Sequence, residues 1–501
     1  MSQKDLSKTI PYGDLGIIPL ESSKAIGKKV DDYIVGWRNE ADVDSSIHFT
    51  NYKRDSYIID AVCPRFGSGE AKGILNESVR GKDVYLLVDV CNHSLAYTVC
   101  GQVNHMSPDD HFQDLKRMIA AISGKARRIT VIMPFLYESR QHKRSSRESL
   151  DCALALQELT AIGVDNIITF DAHDPRVQNA IPLKSFETVQ PTYQFIKALL
   201  KNVPDIHMKP ENMMIISPDE GAMGRAIYFG NVAGVDVGTF YKRRDYTKIV
   251  EGRNPIIAHE FLGADVSGKD VVVIDDMISS GESMIDVATE LKRRNANRIF
   301  VASTFGLFTN GLEKFDEAYK SGLIYRVMTT NLVYQPEELL QREYYINVDM
   351  SKYIALLIDT LNHDSSIAEY LNPTERIERI LKKYNTNRNV CRKAHLSKSL
   401  SSICLTGFFN PYYLFCTLRC RVCCRVCRRL CRSRFRCCRN LCRRCLRGRW
   451  FRNLCIRSII RVHINVIIIR ICRVRIYTST TSGIFLWCRI ITTAATTGTS
   501  R

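Results

Sequence analysis

With 501 residues the chain can bury the cores of two or three domains. Its formal charge of +19 is unevenly spread: residues 391–501 hold 22 Arg, 2 Lys and no acid, while residues 1–390 carry 47 basic against 52 acidic side chains, a net of −5. A mildly acidic body does not call for nucleic acid as a partner, and without a run of 18 uninterrupted apolar residues the chain is not expected to span a membrane. Apolar stretches predict strands at Val84–Val88, Ile129–Met133, Ile167–Asp171, Met213–Ser217, Val271–Ile274 and Ile299–Ser303, and helical periodicity predicts helices at Asp109–Ser123, Leu150–Gly163, Thr192–Asn202 and Met284–Asn295. This alternation implies parallel sheets with right-handed crossovers, and two sheets fit it better than one. The turn-rich IPLKSFETVQP places a boundary near Ile181–Gln190, and Lys352–Tyr384, with Ile354, Leu357, Ile358 and Leu361 at helical spacing, is expected to pack on the body surface. Only Cys63, Cys91, Cys100 and Cys152 precede residue 390, and MSQKDLSKTIPYGD has no apolar signal core, so a reduced, cytoplasmic protein is expected.

The most informative stretch is VVVIDDMISSGES at 271–283. A buried strand runs into a hydroxyl-rich turn and then a helix, which puts the turn at a strand's carboxyl end, where open α/β sheets gather ligands. The helix N-terminus beside Gly281 offers backbone N–H groups to a phosphate, with Ser279, Ser280 and Ser283 as hydroxyl donors. Asp275 and Asp276 suit ribose hydroxyls as acceptors, or a magnesium ion as ligands. An isolated pattern of this kind could also be a plain strand, polar turn and capped helix.

This stretch resembles the ribose 5-phosphate and PRPP loop of the type I phosphoribosyltransferase fold. From about Glu77 to Arg293 the chain is similar to the ribose-phosphate pyrophosphokinases, or PRPP synthetases, in ESVRGKDVYLL (77–87), SRQHKRSSRESL (139–150), GVDNIITFDAHDPRVQ (163–178), ISPDEGAMGRA (216–226), YKRRD (241–245) and the loop. The resemblance implies an α/β fold of two similar phosphoribosyltransferase-like domains, with parallel sheets flanked by helices, here 1–185 and 186–390. It implies transfer of the diphosphoryl group of ATP to the C1 hydroxyl of ribose 5-phosphate, with Mg2+, in a homo-oligomer of dimers up to a hexamer, activated by phosphate and inhibited by ADP.

By the same resemblance Lys242 and Arg244 fall at the catalytic lysine and arginine, although a KRR triplet alone is usually solvated surface. Arg140 and Gln141 match the ATP-contacting pair, and Phe66 and Glu70 the adenine-binding segment. His173 matches a metal-associated histidine that takes part in catalysis, whereas a lone His is more often structural. Asp219 matches a magnesium- or ribose-facing acid. Ser68, His142, Ser279 and Glu282 depart from the family pattern, and Glu282 puts a negative side chain beside a phosphate cradle. These departures keep a catalytically silent, regulatory subunit open as an alternative. An ordinary phosphoribosyltransferase would share the 271–283 loop but need neither Arg140/Gln141 nor Phe66/Glu70. GADVSGKD at 263–270 meets the Walker A spacing, but Asp270 replaces the Ser/Thr that would hold magnesium and the segment enters a strand, so it reads as a tight turn.

Residues 391–501 contain fifteen cysteines in a Cys/Arg-biased run. Cys420/Cys423, Cys424/Cys427 and Cys442/Cys445 have zinc-pair spacing, and the charge would suit a nucleic-acid or anionic-lipid arm. The bias, the lack of acids and the lack of a consistent apolar period favour a third reading, a non-globular tail from out-of-frame or read-through translation, with the enzyme ending near Ile380–Asn385.

Overall fold

Apolar, β-branched runs become the inner strands of two largely parallel sheets. The computed structural model describes Leu6 and residues 9–41, 51–244 and 256–384, with the backbone alone for 242–244 and 256–259. These residues belong to one compact unit, Met1–Ala394. The tail readings concern residues outside those described.

The first sheet comprises β1 (Asp14–Pro19), β2 (Lys82–Leu87), β3 (Arg128–Ile132), β4 (Asn166–Phe170) and β5 (Ser185–Val189), in that order and all parallel. The second comprises β6 (Met213–Ser217), β7 (Asp236–Arg244), β8 (Ile256–Leu262), β9 (Asp270–Ile278), β10 (Ile299–Gly306), β11 (Arg326–Thr330) and β12 (Tyr345–Val348). Its order is β8-β7-β6-β9-β10-β11-β12, parallel except for the antiparallel β7–β8 ribbon at one edge. Strands covered by helices on both faces are largely apolar, and all eight residues of β10 are buried, with Ser303 and Thr304 its only hydroxyl side chains.

The helices that matter here are α1 (Lys24–Glu40), α2 (Pro108–Ile122), α3 (Asp151–Ala161), α4 (Thr192–Asn202), α5 (Met223–Ala233), α6 (Glu282–Arg293), α7 (Glu313–Lys320) and α8 (Ser351–Asn362). Leu115 and Ile119 of α2 and Leu156 and Leu159 of α3 cover Val84, Leu86 and Val131 on one face of the first sheet. On the second sheet, Val287 and Leu291 of α6 and Phe315 of α7 cover Val271, Val273 and Val301. The remaining faces share a continuous core. It runs from Leu15, Tyr85 and Phe170 through Leu199 of α4 and Ile354, Leu357 and Ile358 of α8 to Ile215, Val272 and Phe300.

That core is pinned at one end by a buried polar network. Arg38 of α1 donates to Asp359 Oδ1 (2.9 Å) and Asn362 Oδ1 (2.7 Å) on α8. Asn362 donates to Asp83 Oδ2 (2.9 Å), which also accepts from Arg128 (2.7 Å). Arg38 and Asp359 are 2% and 3% exposed, so α8 is part of the interior, and not only a surface helix.

Two elements differ from the sequence expectation. Ser185–Val189, inside the turn-rich segment, is the edge strand of the first sheet, because Phe186 and Val189 turn inward while backbone pairing to Asn166–Phe170 holds the register. Strand β9 continues past Ile274 to Ile278, since Asp275 and Met277 still pair with Ser303 and Phe305 of β10. The acids thus lie on the strand, and the turn shrinks to Ser279–Gly281. The Walker-like segment is a turn, with Lys269 N–H donating to Val266 O at 3.0 Å and Gly268 at φ +71, and it leads into β9.

Candidate active site

The carboxyl ends of β4 and β9 face each other across a cavity of about 570 Å³, lined by Arg140, His173, Asp219, Arg225, Asp275, Asp276 and Ser279 among others. Behind β4 the chain turns sharply at Asp171, a non-glycine residue at φ +43. Such a conformation costs free energy and persists where side-chain contacts enforce it. Here the Asp171 carboxylate accepts from Arg225 Nε (2.8 and 2.9 Å) and from Thr304 Oγ1 of β10 (2.6 Å), tying the first sheet to the second.

The turn at Asp171 brings His173 to Asp276, with Nδ1 at 2.7 Å from Oδ2. The hydrogen bond to Asp276 raises the His173 imidazole above its ordinary value, despite partial burial. Burial would push Asp276 up too, but His173 and Arg225 hold it below the usual carboxylate range. Its neighbour goes the other way: burial, with Asp276 beside it, lifts Asp275 well above that range. Adjacent acids in a low-dielectric site separate in this manner because both cannot hold full charge cheaply. Arg225 stands between them, 3.7 Å from Asp275 and 3.9 Å from Asp276. Since Asp276 accepts from Nδ1, the imidazole keeps Nε2 for other partners.

Asp219 follows β6, and its Oδ1 accepts from Gly221 N–H (3.0 Å) and Ala222 N–H (3.3 Å), closing the turn that starts α5. The Ser279–Gly281 turn leads into α6 with Gly281 as N-cap at φ +82 and no side-chain cap. That leaves the dipole end of a twelve-residue helix for an anion. Ser279 lines the cavity, and Ser280 and Ser283 flank Gly281 and Glu282.

From the first sheet, Arg140 reaches across to Met277 of β9, with Nη2 2.7 Å from Sδ. Gln141 turns back on its own loop, donating to Ser149 O at 2.8 Å. His142 Nε2 lies 3.5 Å from Asp174 Oδ2, and its ring sits 5.3 Å from that of His173. Asp174 is itself held low, at about 2, chiefly by hydrogen bonding from Arg176. Phe66 and Glu70 occupy the loop between the paired segments Ala61–Val62 and Ile74–Leu75 and do not line the cavity. Phe66 is half exposed, and Ser68 Oγ donates to Glu70 Oε2 at 2.9 Å. The backbones of Lys242 and Arg244 pair with His259 and Ile256 in the β7–β8 ribbon, while their side chains lie outside the described residues.

The structure therefore brings His173, Asp219, Asp275, Asp276, Ser279 and Arg140 together. It adds Arg225 and Tyr241, which also line the cavity, and Asp171 and Thr304, which hold Arg225 and the turn after β4, none of which sequence reasoning singled out. Arg225 carried a signal, as the one basic residue within ISPDEGAMGRA, six residues beyond Asp219. Asp171 and Thr304 carried none, because their partners are 54 and 133 residues away.

Comparison with known proteins bears on the family and the fold. Residues 15–163 match the family model for the N-terminal domain of ribose phosphate pyrophosphokinase, and residues 248–372 match that for the phosphoribosyl synthetase-associated domain. The chain is 27% identical over 319 residues to a ribose-phosphate pyrophosphokinase of Vibrio cholerae serotype O1, covering 62% of this chain and 91% of that protein. It is 29% identical over 280 residues to one from Mycoplasma genitalium, covering 55% and 75%. The crystal structure of phosphoribosylpyrophosphate synthetase from Mycobacterium smegmatis superposes with a TM-score of 0.55 at 20% identity, over 70% of this chain and all of that one, and shows the same fold. Two family models on the two sheets, relatives matched over most of their length and a shared fold converge: this chain belongs to the ribose-phosphate pyrophosphokinase family.

Proposed function

We propose that the chain is an active ribose-phosphate diphosphokinase, passing the diphosphoryl group of ATP to the C1 hydroxyl of ribose 5-phosphate and releasing AMP. The observation that carries this reading is a single cavity holding both the acids of the sugar-phosphate loop and Arg140 from the opposite sheet. A phosphoribosyltransferase would need only the first. Asp275 and Asp276 accept from ribose hydroxyls, and the 5-phosphate meets the N-terminus of α6 with Ser279, Ser280, Gly281 and Ser283. Arg140 and Gln141 hold the nucleotide phosphates, with Phe66 and Glu70 assigned to adenine. The C1 oxygen attacks the β-phosphorus in line, and Lys242, Arg244 and His173 offset charge on the transferred group. Such transfers gain chiefly from positioning and charge neutralisation.

The donor set suits magnesium brought in with the nucleotide. Among the described residues no three His, Cys, Asp or Glu side chains are grouped to hold an ion by themselves, and magnesium commonly takes one or two carboxylates plus substrate oxygens. His173 and Asp219 would hold it, and its role there is to neutralise phosphate charge. A cytoplasmic homo-oligomer built on dimers completes the reading. Among the described residues no helix is long and apolar enough to cross a membrane.

The deciding experiment measures AMP and PRPP formation from ATP, magnesium and phosphate, with and without ribose 5-phosphate, for the full chain and for a variant ending at Asn385. AMP that depends on ribose 5-phosphate, with matching PRPP, supports the reading. Absence of AMP from folded protein that still binds ATP would assign the chain to the regulatory class, and binding of PRPP without ATP would make it a transferase.

A further inference from the structure

The helix end that would receive a phosphate dianion also carries an acid. Glu282 is the first residue of α6, between Gly281 and Ser283. An uncompensated carboxylate there opposes the attraction of the helix N-terminus for an anion. The fold supplies a counter-charge from another element: Lys314 Nζ, on α7, lies 2.6 Å from Glu282 Oε1. The pairing with Lys314 holds the Glu282 carboxyl below its ordinary range.

The contact is held in place by packing of the backbone around it. A Cβ on Gly281 would fall 2.3 Å from Phe315 Cε2, so the loop rests directly on the residue next to Lys314. Phe308 packs edge-on against Phe315 at 5.3 Å. Leu307 N–H donates to Ile278 O and Thr309 N–H to Ser279 O, each at 2.9 Å. The segment from Leu307 to Phe315 thus braces the phosphate loop along one side and presents Lys314 to Glu282.

We propose that Lys314 is a positioning residue for sugar-phosphate binding, holding the Glu282 carboxylate toward α7 and cancelling its charge so that the N-terminus of α6 stays electropositive. This rests on the sugar-phosphate reading of the 275–283 loop. Lys314 and Glu282 behave as one unit: removing the cation is harmful only while the acid remains. Both side chains are more than half exposed, so replacing either leaves the fold in place.

The test titrates ribose 5-phosphate into the full chain and into Lys314→Met by calorimetry, with magnesium present, and measures the KM for each substrate alongside kcat. Lys314→Met is expected to weaken ribose 5-phosphate about three- to fivefold, without change in the KM for ATP, and the gap should narrow as salt is raised. Adding Glu282→Gln to Lys314→Met should restore affinity, which a merely structural lysine would not allow. Unchanged affinity in Lys314→Met overturns the proposal. So does a double variant as weak as the single one, since Lys314 would then act on the phosphate itself. A parent chain that binds no ribose 5-phosphate removes the sugar-phosphate reading and this inference with it, whereas binding by the parent with an indifferent Lys314→Met removes the inference alone.

Discussion

Arg38 and Arg225 are both largely buried guanidinium groups that help join the two sheets, but they keep different company. Arg38 meets one carboxylate, Asp359, together with the Asn362 amide oxygen, and the rings of Tyr52 and Tyr57 lie 4.7 and 5.0 Å from its guanidinium carbon. Charge and hydrogen-bonding demand are nearly balanced there. Arg225 meets three acids, Asp171, Asp275 and Asp276, with His173 as the other nearby partner of Asp276. Arg225 and the His173 imidazole face three carboxylates between them, and burial beside Asp276 drives Asp275 toward its protonated form. The first cluster is satisfied by folding, while in the second two adjacent acids share one guanidinium and one imidazole. A buried pair is expensive to break but contributes modestly to net stability when whole, so the contrast lies in how the charges of each cluster are shared.

The largest expected effect comes from breaking the balanced cluster. Arg38→Met would strand Asp359 in the core and destabilise the protein by about 3–5 kcal/mol in urea unfolding, with kcat of the folded fraction unchanged. Arg225→Leu should also strand a buried acid, Asp171, and release its strained turn, but unlike Arg38→Met it should lower kcat of the folded protein by on the order of 10²–10³-fold, as loss of one electrostatic anchor does. Its readout is steady-state PRPP formation beside a melting curve. Next is Gly281→Ala, which combines a positive φ with the encroachment on Phe315 and should cost about 1–3 kcal/mol while weakening ribose 5-phosphate binding.

The smallest effect sharpens the comparison through pH. Asp89, just past β2, is buried and accepts from Cys91 N–H (2.9 Å) and from Tyr334 N–H (2.6 Å) beyond β11. Burial raises it to about 7, against the accepting hydrogen bonds that pull it down. Because the folded value exceeds that of the unfolded chain, ionising Asp89 costs stability. The loss begins as pH rises above about 4 and is complete once pH exceeds the folded value. The melting temperature should therefore fall by a few degrees between about pH 5 and about pH 8, and Asp89→Asn should flatten that slope.

Much of the scaffold was legible in the residues. Thr192–Asn202 and Met213–Ser217 coincide with their predicted spans, because a strongly periodic helix and a wholly buried strand leave clear patterns. The extension of β9 was not legible: Asp275 and Asp276 end the apolar run, and only pairing with Ser303 and Phe305 keeps the strand going. Ser185–Val189 was hidden by its turn-rich surroundings, as an edge strand needs only half its residues inside. Within the cavity, residues carrying a local motif were visible, including His173, Asp219, Asp275, Asp276 and Ser279. Residues that act through distant partners, such as Asp171 and Thr304, were not. Glu282 shows the gap most plainly, for its meaning depends on Lys314, which no local pattern connects to it.

The continuous core between the sheets bears on how the molecule can be taken apart. Leu199, Ile354 and Leu357 serve the first sheet and the second at once, so neither half owns a complete interior. A fragment ending before α4 would expose the inner face of its sheet and lose both Arg225 and Thr304, the partners of Asp171. Calorimetry should accordingly register one cooperative melting event for residues 9–384, and gene fragments encoding either half should yield insoluble chains that regain solubility only when co-expressed.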